Sequence, residues 1–203
     1  MTLLLVRHGQ SEGNARGIIQ GQLDLPLTPL GREQAKRVAE RLRSEGGSER
    51  IVASPLARAF ETAEVIGEAL GLPIATDERL MEYDFGQGAG LTFAELREQF
   101  PASGVGWERG QRPPIPGEEK LDVFDARVAA ALTDLLAEDG LTIGVAHGGV
   151  IGSALNHALQ GGGDAPRLRV RTENCAITEL ARDSSGRLVL RRHNDACHVA
   201  ASL

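Results

Sequence analysis

Apolar positions along this chain alternate between short unbroken runs and longer helical stripes. Leu3-Leu4-Leu5-Val6 is a continuous apolar run, as in a strand buried on both faces, and it predicts a strand over 3–7. About twenty residues without clear periodicity follow, long for a connection in a compact domain. Thr28-Pro29 then offers an N-cap with proline in the first turn. Ala35, Val38, Ala39 and Leu42 recur at helical spacing, predicting a helix through about Arg43. Arg50–Ala53 reads as a second strand, Ser54-Pro55 as the N-cap of a helix reaching about Leu70, and Pro73–Thr76 as a third strand. Glycines at 86, 88 and 90 mark a loop, and Thr92-Phe93-Ala94-Glu95 is a capping box for a short helix. The stretch 101–119 is rich in Gly, Pro and Arg and reads as a lid or surface excursion. A helix from about Leu121 to Ala137 leads into a strand over Leu141–Ala146, and His147-Gly148-Gly149 opens another helix. Two strands near 175–181 and 187–193, turning at Asp183-Ser184-Ser185-Gly186, form a closing hairpin.

Strands alternating with helices imply an α/β fold: a three-layer sandwich with a mostly parallel central sheet, helices on both faces and an antiparallel C-terminal edge. A length of 203 residues suits one domain with a sizeable core, spanning 1–203 with a lid-like excursion around 83–120. Aromatic residues are only 3%, so Leu, Val, Ile and Ala must fill that core. The net charge of -6 argues against general nucleic-acid affinity and gives no support to membrane-surface binding. Any anion site is therefore a local concentration of positive charge, and arginine supplies it, since lysine occurs only at Lys36 and Lys120. Cys175 and Cys197 are too few for a disulfide framework and read as free thiols. The N-terminal run is too short for a signal peptide or a membrane span, so a cytoplasmic location is expected.

Two histidines, His8 and His147, each end a predicted buried strand, and each is followed by glycine. In open α/β sheets ligands bind at the C-terminal edge of the strands, so two central parallel strands would bring both imidazoles into one site. His8 can act as a nucleophile, Arg7 can hold an anion, and Gly9 would let the backbone approach a bound group closely. Arg58, about one turn into the helix after the second strand, faces the same edge, where the helix dipole adds to its field. Glu82 follows the third strand and could protonate a departing oxygen, with Asp84 competing for that role. Singly, these are a solvated arginine and a surface carboxylate; together they point to chemistry on phosphate. His157, His193 and His198 read as structural. His193, His198, Cys175 and Cys197 match no standard zinc spacing, and no metal site is assigned. Trp107, Arg109 and Arg112 fit a lid over the substrate and a basic surface loop about equally.

Four segments occur in a recognisable order: Arg7-His8-Gly9-Gln10-Ser11-Glu12-Gly13-Asn14, Ser54-Pro55-Leu56-Ala57-Arg58-Ala59, the loop holding Glu82 and Phe85-Gly86, and Ala146-His147-Gly148-Gly149. In these the chain resembles the histidine phosphatase superfamily, in its phosphoglycerate-mutase-like branch, over essentially its full length. The resemblance implies that His8 attacks phosphorus to form a phosphohistidine, with Arg7, Arg58 and His147 around the phosphoryl oxygens. It implies that Glu82 protonates the leaving oxygen and later deprotonates water. Asn14 would add a neutral donor, Gln20 and Gly21 match a pocket-lining loop, and Ser11 and Asn174 join the candidate substrate-binding residues. Neither a metal nor another cofactor is implied. The chain departs from the pattern at Gly88-Ala89, where many relatives carry Trp-Glu, and at Gly152, near which many carry an arginine. The expected partner is a small-molecule phosphate ester, and a homodimer is left open. The expected activity is phosphomonoester hydrolysis; the alternative is a 2,3-bisphosphoglycerate-dependent phosphoglycerate mutase. Mutases hold their substrate's second anionic group with an insertion that carries a lysine and paired arginines. Between Glu82 and Pro116 this chain has no lysine and offers only Arg97, Arg109 and Arg112. A catalytically idle relative would typically have lost the nucleophile or an arginine, and neither is lost here.

Overall fold

The first apolar run forms β1 (Thr2–Arg7), which lies near the middle of a six-stranded sheet of order β3-β2-β4-β1-β5-β6. We describe a computed structural model, covering residues 1–101, 113–137, 139–160 and 168–200. β1 pairs in parallel with β4 (Leu141–Ala146), and β2 (Ser48–Ala53) pairs in parallel with β4 and with β3 (Ile74–Thr76). β5 (Ile177–Arg182) runs antiparallel to β1, and β6 (Leu188–Asp195) antiparallel to β5. The sheet is thus mostly parallel with an antiparallel C-terminal edge, as the sequence predicts.

Alternation along β1 divides the core. Leu3 and Leu5 pack on one face under α5 (Leu121–Leu135) and α6 (Gly148–Gln160), against Val128, Leu132, Val150 and Ala154. Leu4 and Val6 pack on the other under α2 (Pro29–Glu45) and α3 (Ala57–Leu70), against Val38, Leu42, Ala63 and Ile66. Truncating a fully buried member such as Leu3 to alanine would cost about 2–5 kcal/mol. Among the described residues, no helix is long and apolar enough to cross a membrane.

Several local expectations are corrected. The segment without periodicity holds α1 (Glu12–Arg16), whose capping box pairs Ser11 with Asn14. Five residues are too few to show an amphipathic stripe, so the cap was its one sequence signal. α3 begins at Ala57, and its N-cap is Leu56 rather than Ser54. Leu56 has no side-chain acceptor, and Asp24 Oδ1 reaches across from another loop to the Ala57 N–H at 2.6 Å. Ser54 is instead turned towards His147. The described parts of the predicted excursion fold back on one another. A 3₁₀ turn covers Gly86–Gly88, α4 (Phe93–Gln99) follows its capping box, and 113–120 docks on 84–87. Gln87 N–H donates to Pro116 at 3.0 Å, and Glu119 N–H donates to Asp84 at 2.9 Å. Trp107, Arg109 and Arg112 lie outside the described residues. The closing hairpin turns at Asp183–Gly186 as expected, and α7 (Cys197–Ala200) follows β6.

Candidate active site

The register of β1 and β4 pairs Arg7 with Ala146, so the next residues, His8 and His147, leave the sheet side by side. Their ring centroids are 5.1 Å apart, and both are buried. His8 Nδ1 lies 2.7 Å from the Gly9 carbonyl oxygen. A carbonyl can only accept, so Nδ1 carries the proton and Nε2 keeps its lone pair. His147 is held through the other nitrogen, Nε2, 2.8 Å from Ser54 Oγ, a hydroxyl that also accepts the Leu56 N–H at 3.3 Å. His147 Nδ1 is buried with no partner among the described residues. Burial pushes both imidazoles well below the ordinary value of 6.5, and the neighbouring Arg58 and Arg7 guanidinium groups push in the same direction. Both are therefore neutral bases at pH 7.

Arg7 has the parity of Leu3 and Leu5 and runs beneath the start of α6. A Cβ built on Gly148 would lie 3.7 Å from Arg7 Nε, and Arg7 Nη1 donates to the Thr172 carbonyl. Arg58, 1% exposed, is the second residue of α3. It donates from Nη1 to Leu23 O at 2.8 Å and from Nη2 to Gly21 O at 2.7 Å. Gly21 thus enters the site through its carbonyl, which orients Arg58. The Nε atoms of both arginines are buried without a protein partner among the described residues. Desolvation brings Arg58 down to about 10, with the Glu82 and Asp24 carboxylates opposing the shift.

Gly9 has a packing reason in the fold. An added Cβ would lie 2.4 Å from the carbonyl oxygen of Gly31 in α2, so the glycine permits loop and helix to touch. Its N–H donates to Thr62 Oγ1 at 3.1 Å. Ser11, Asn14, Gln20 and Asn174 gather beside His8. Ser11 Oγ donates to Gln20 Oε1 at 2.7 Å, and Asn14 Oδ1 accepts from the Ser11 N–H at 3.1 Å and from Asn174 Nδ2 at 3.3 Å. Asn174 Nδ2 also donates to the His8 carbonyl at 2.9 Å. Asn174 sits in the turn before β5 rather than in the strand. The bonds to Asn14 occupy its oxygen and leave its Nδ2 as a donor.

Glu82 reaches the start of α6, where Gly149 N–H donates to Oε2 at 3.0 Å and Tyr83 N–H to Oε1 at 2.9 Å. The carboxylate stands at the positive end of that helix, and its charge acts on Arg7 and Arg58. A Cβ at residue 149 would lie 2.2 Å from Oε1, so Gly149 makes room for Glu82. Asp84 instead accepts the Gly86 N–H at 2.8 Å and shapes the turn.

Sequence reasoning missed Arg127. From α5 it donates to the carbonyls of Arg79 at 2.8 Å, Met81 at 2.6 Å and Glu82 at 3.0 Å, and it grips both oxygens of Glu119 at 2.7 and 2.9 Å. It fixes the backbone that presents Glu82. Nothing in the sequence distinguishes it from a solvated helix arginine. Beyond Glu82 a cavity of about 930 Å³ opens along α6. Elsewhere among the described residues, Asp195, Cys197 and His198 bring potential ligand atoms within 4.8 Å of one another, but Asp195 is already paired with Arg192 at 3.2 Å.

Proteins similar in sequence and in structure bear on this site. A putative phosphoserine phosphatase 2 of Hydrogenobacter thermophilus is 35% identical over 200 residues, covering 97% of each chain. A probable phosphoglycerate mutase GpmB of Salmonella paratyphi C is 36% identical over 212 residues, covering 99% of this chain and 96% of its own. Among solved structures, a mycobacterial glucosyl-3-phosphoglycerate phosphatase in complex with VO3 matches at a TM-score of 0.82 and 31% identity, covering 96% of this chain and 98% of that one. Residues 3–196 match the family model of the histidine phosphatase superfamily, branch 1, and the chain belongs to that superfamily.

Proposed function

We propose that the chain is a phosphatase that hydrolyses phosphomonoesters of small molecules through a phosphohistidine on His8, without a metal. The observation that carries this reading is the bond from His8 Nδ1 to the Gly9 carbonyl, which leaves Nε2 unprotonated within the field of the Arg58 and Arg7 guanidinium groups. In the first step Nε2 attacks phosphorus and the ester P–O bond breaks. Arg7 and Arg58 balance the charge on the phosphoryl oxygens. His147 serves the same group through Nδ1–H when the Ser54 hydroxyl donates to its Nε2. Glu82, in its acid form, gives a proton to the departing oxygen. In the second step the Glu82 carboxylate takes a proton from water. The resulting hydroxide attacks phosphorus, and the N–P bond breaks to return neutral His8 and inorganic phosphate. Asn14 and Asn174 hold the loop around His8, while Ser11, Gln20 and Gly21 hold the loop that orients Arg58.

The similarity to GpmB favours a second reading, a phosphoglycerate mutase, which returns the phosphoryl group to substrate instead of to water. Incubation with 3-phosphoglycerate, with and without 2,3-bisphosphoglycerate, separates the two. Phosphate release without isomerisation supports the phosphatase, and bisphosphoglycerate-dependent formation of 2-phosphoglycerate with little phosphate released supports the mutase. A wider panel of esters covers the case of no turnover. Transfer of label to an acid-labile, base-stable adduct that His8→Ala lacks tests the intermediate.

A further inference from the structure

Resting on the phosphatase reading, we infer that the cavity along α6 receives the alcohol portion of the substrate, and that this portion is bulky and largely apolar. Gly148 and Gly149 line the cavity, and these same residues touch the phosphate cradle. Gly149 N–H holds Glu82, and Gly148 lies over Arg7. The proton donor therefore stands at the boundary, with the cradle on one side and the cavity on the other. A leaving oxygen protonated there carries its organic body into the cavity.

The lining gives the chemistry of that body. Tyr83, Phe85, Ile115, Phe124, Leu168 and Val170 supply carbon surface. Tyr83 stands edge-on to Phe85 and Phe124 at 4.9 and 5.4 Å between centroids, which makes that wall firm. The polar side chains are engaged with protein groups. Glu119 is gripped by Arg127, Glu118 accepts from Tyr83 Oη at 3.0 Å and from the Ile115 N–H at 2.9 Å, and Ser153 donates to Asp125 at 2.6 Å. Asn156 donates to the carbonyls of Gly152 at 2.8 Å and Leu168 at 3.0 Å. Among the described lining residues the one cation is Lys120, which is exposed. A substrate with a second anionic group, a carboxylate or another phosphate, finds no buried arginine among the described lining residues. The volume of about 930 Å³ is that of a site for a drug-sized ligand, far more than a three-carbon acid fills.

Gly152 leaves part of this volume open. It lines the cavity from the first turns of α6, and an added Cβ would meet nothing within 4 Å. A larger residue there fits the backbone, favours the helix and intrudes on the cavity.

The test uses n-alkylphosphonates, whose P–C bond the enzyme cannot hydrolyse, so affinity is read apart from turnover. Calorimetric Kd values should fall by about threefold per methylene from ethyl- to hexylphosphonate. Gly152→Leu should cut the hexyl-to-ethyl affinity ratio by at least about tenfold. 2-Carboxyethylphosphonate should bind no more tightly than propylphosphonate. A flat series, an unaltered ratio in Gly152→Leu or tighter binding of the carboxylate each overturns the inference. Ethyl and hexyl phosphate then test the chemistry separately. A graded phosphonate series with no hydrolysis sinks the phosphatase reading and keeps the pocket, while hydrolysis with a flat series does the reverse.

Discussion

At the sheet edge, His8 and Arg58 are held by backbone carbonyls, those of Gly9, Gly21 and Leu23. On the far side of Glu82 the cavity wall is made by side chains packing on side chains, with Tyr83 between Phe85 and Phe124. The difference bears on what can vary. A cradle fixed by main-chain groups persists through substitution of its surroundings. A wall of side chains changes with every residue that lines it. Relatives of similar identity are named as a phosphatase and as a mutase.

The largest effect that would break the comparison lies in the cradle. His8→Ala should remove the phosphoenzyme and lower kcat by about 10⁴-fold or more on every ester, whatever its alcohol. Glu82→Gln, at the boundary, should be selective. We expect a loss of about 10² to 10³ on alkyl phosphates and under about tenfold on 4-nitrophenyl phosphate, whose leaving group departs without an acid. Equal losses on both would show that Glu82 is not the proton donor.

Two variants should move Glu82 without removing it. Gly149→Ala places a methyl group against Oε1, and Arg127→Lys cannot reproduce the forked grip on Glu119 and three carbonyls. Each should cost about tenfold on alkyl esters, with the same dependence on the leaving group as Glu82→Gln. Loss of thermal stability without that dependence would make Arg127 a structural residue only.

A further expected effect is a pH dependence confined to the cradle. Burial lowers His8 and His147 below 6.5 in the folded state, so below that pH the unfolded chain binds more protons than the native one. Native stability is then fully present above about pH 6.5 and falls as the pH drops, by up to about 1.4 kcal/mol per pH unit for each histidine. Denaturant midpoints between pH 5 and 7 measure this, and replacing either histidine by Gln should reduce the slope. The acid limb of kcat/KM should likewise fall below 6.5, because the free enzyme's nucleophile stays neutral there.

The strand-to-histidine junctions were legible because two signals coincide, a run of apolar residues and a chemical group at its end. The same regularity made the mostly parallel sheet and its antiparallel edge accessible through the helices between its strands. α1 was hidden because five residues show no stripe, and the true start of α3 because it depends on partners distant in sequence. Ser54 looks like a cap until His147 is placed against it, and Asp24 becomes a cap only when the fold brings it to Ala57. Arg127 was hidden in the same way, since its role is written in the carbonyls of a loop and not in its neighbours on α5.

The contact between Gly9 and Gly31 has an evolutionary side. A Cβ on Gly9 would lie 2.4 Å from the Gly31 carbonyl oxygen, and one on Gly31 would lie 2.0 Å from that of Gln10. Every amino acid other than glycine carries a Cβ, so no single substitution at either position escapes the clash. Changing both together adds a second obstruction without relieving the first. Any lineage that keeps α2 docked in this way against the loop after His8 keeps both glycines with it.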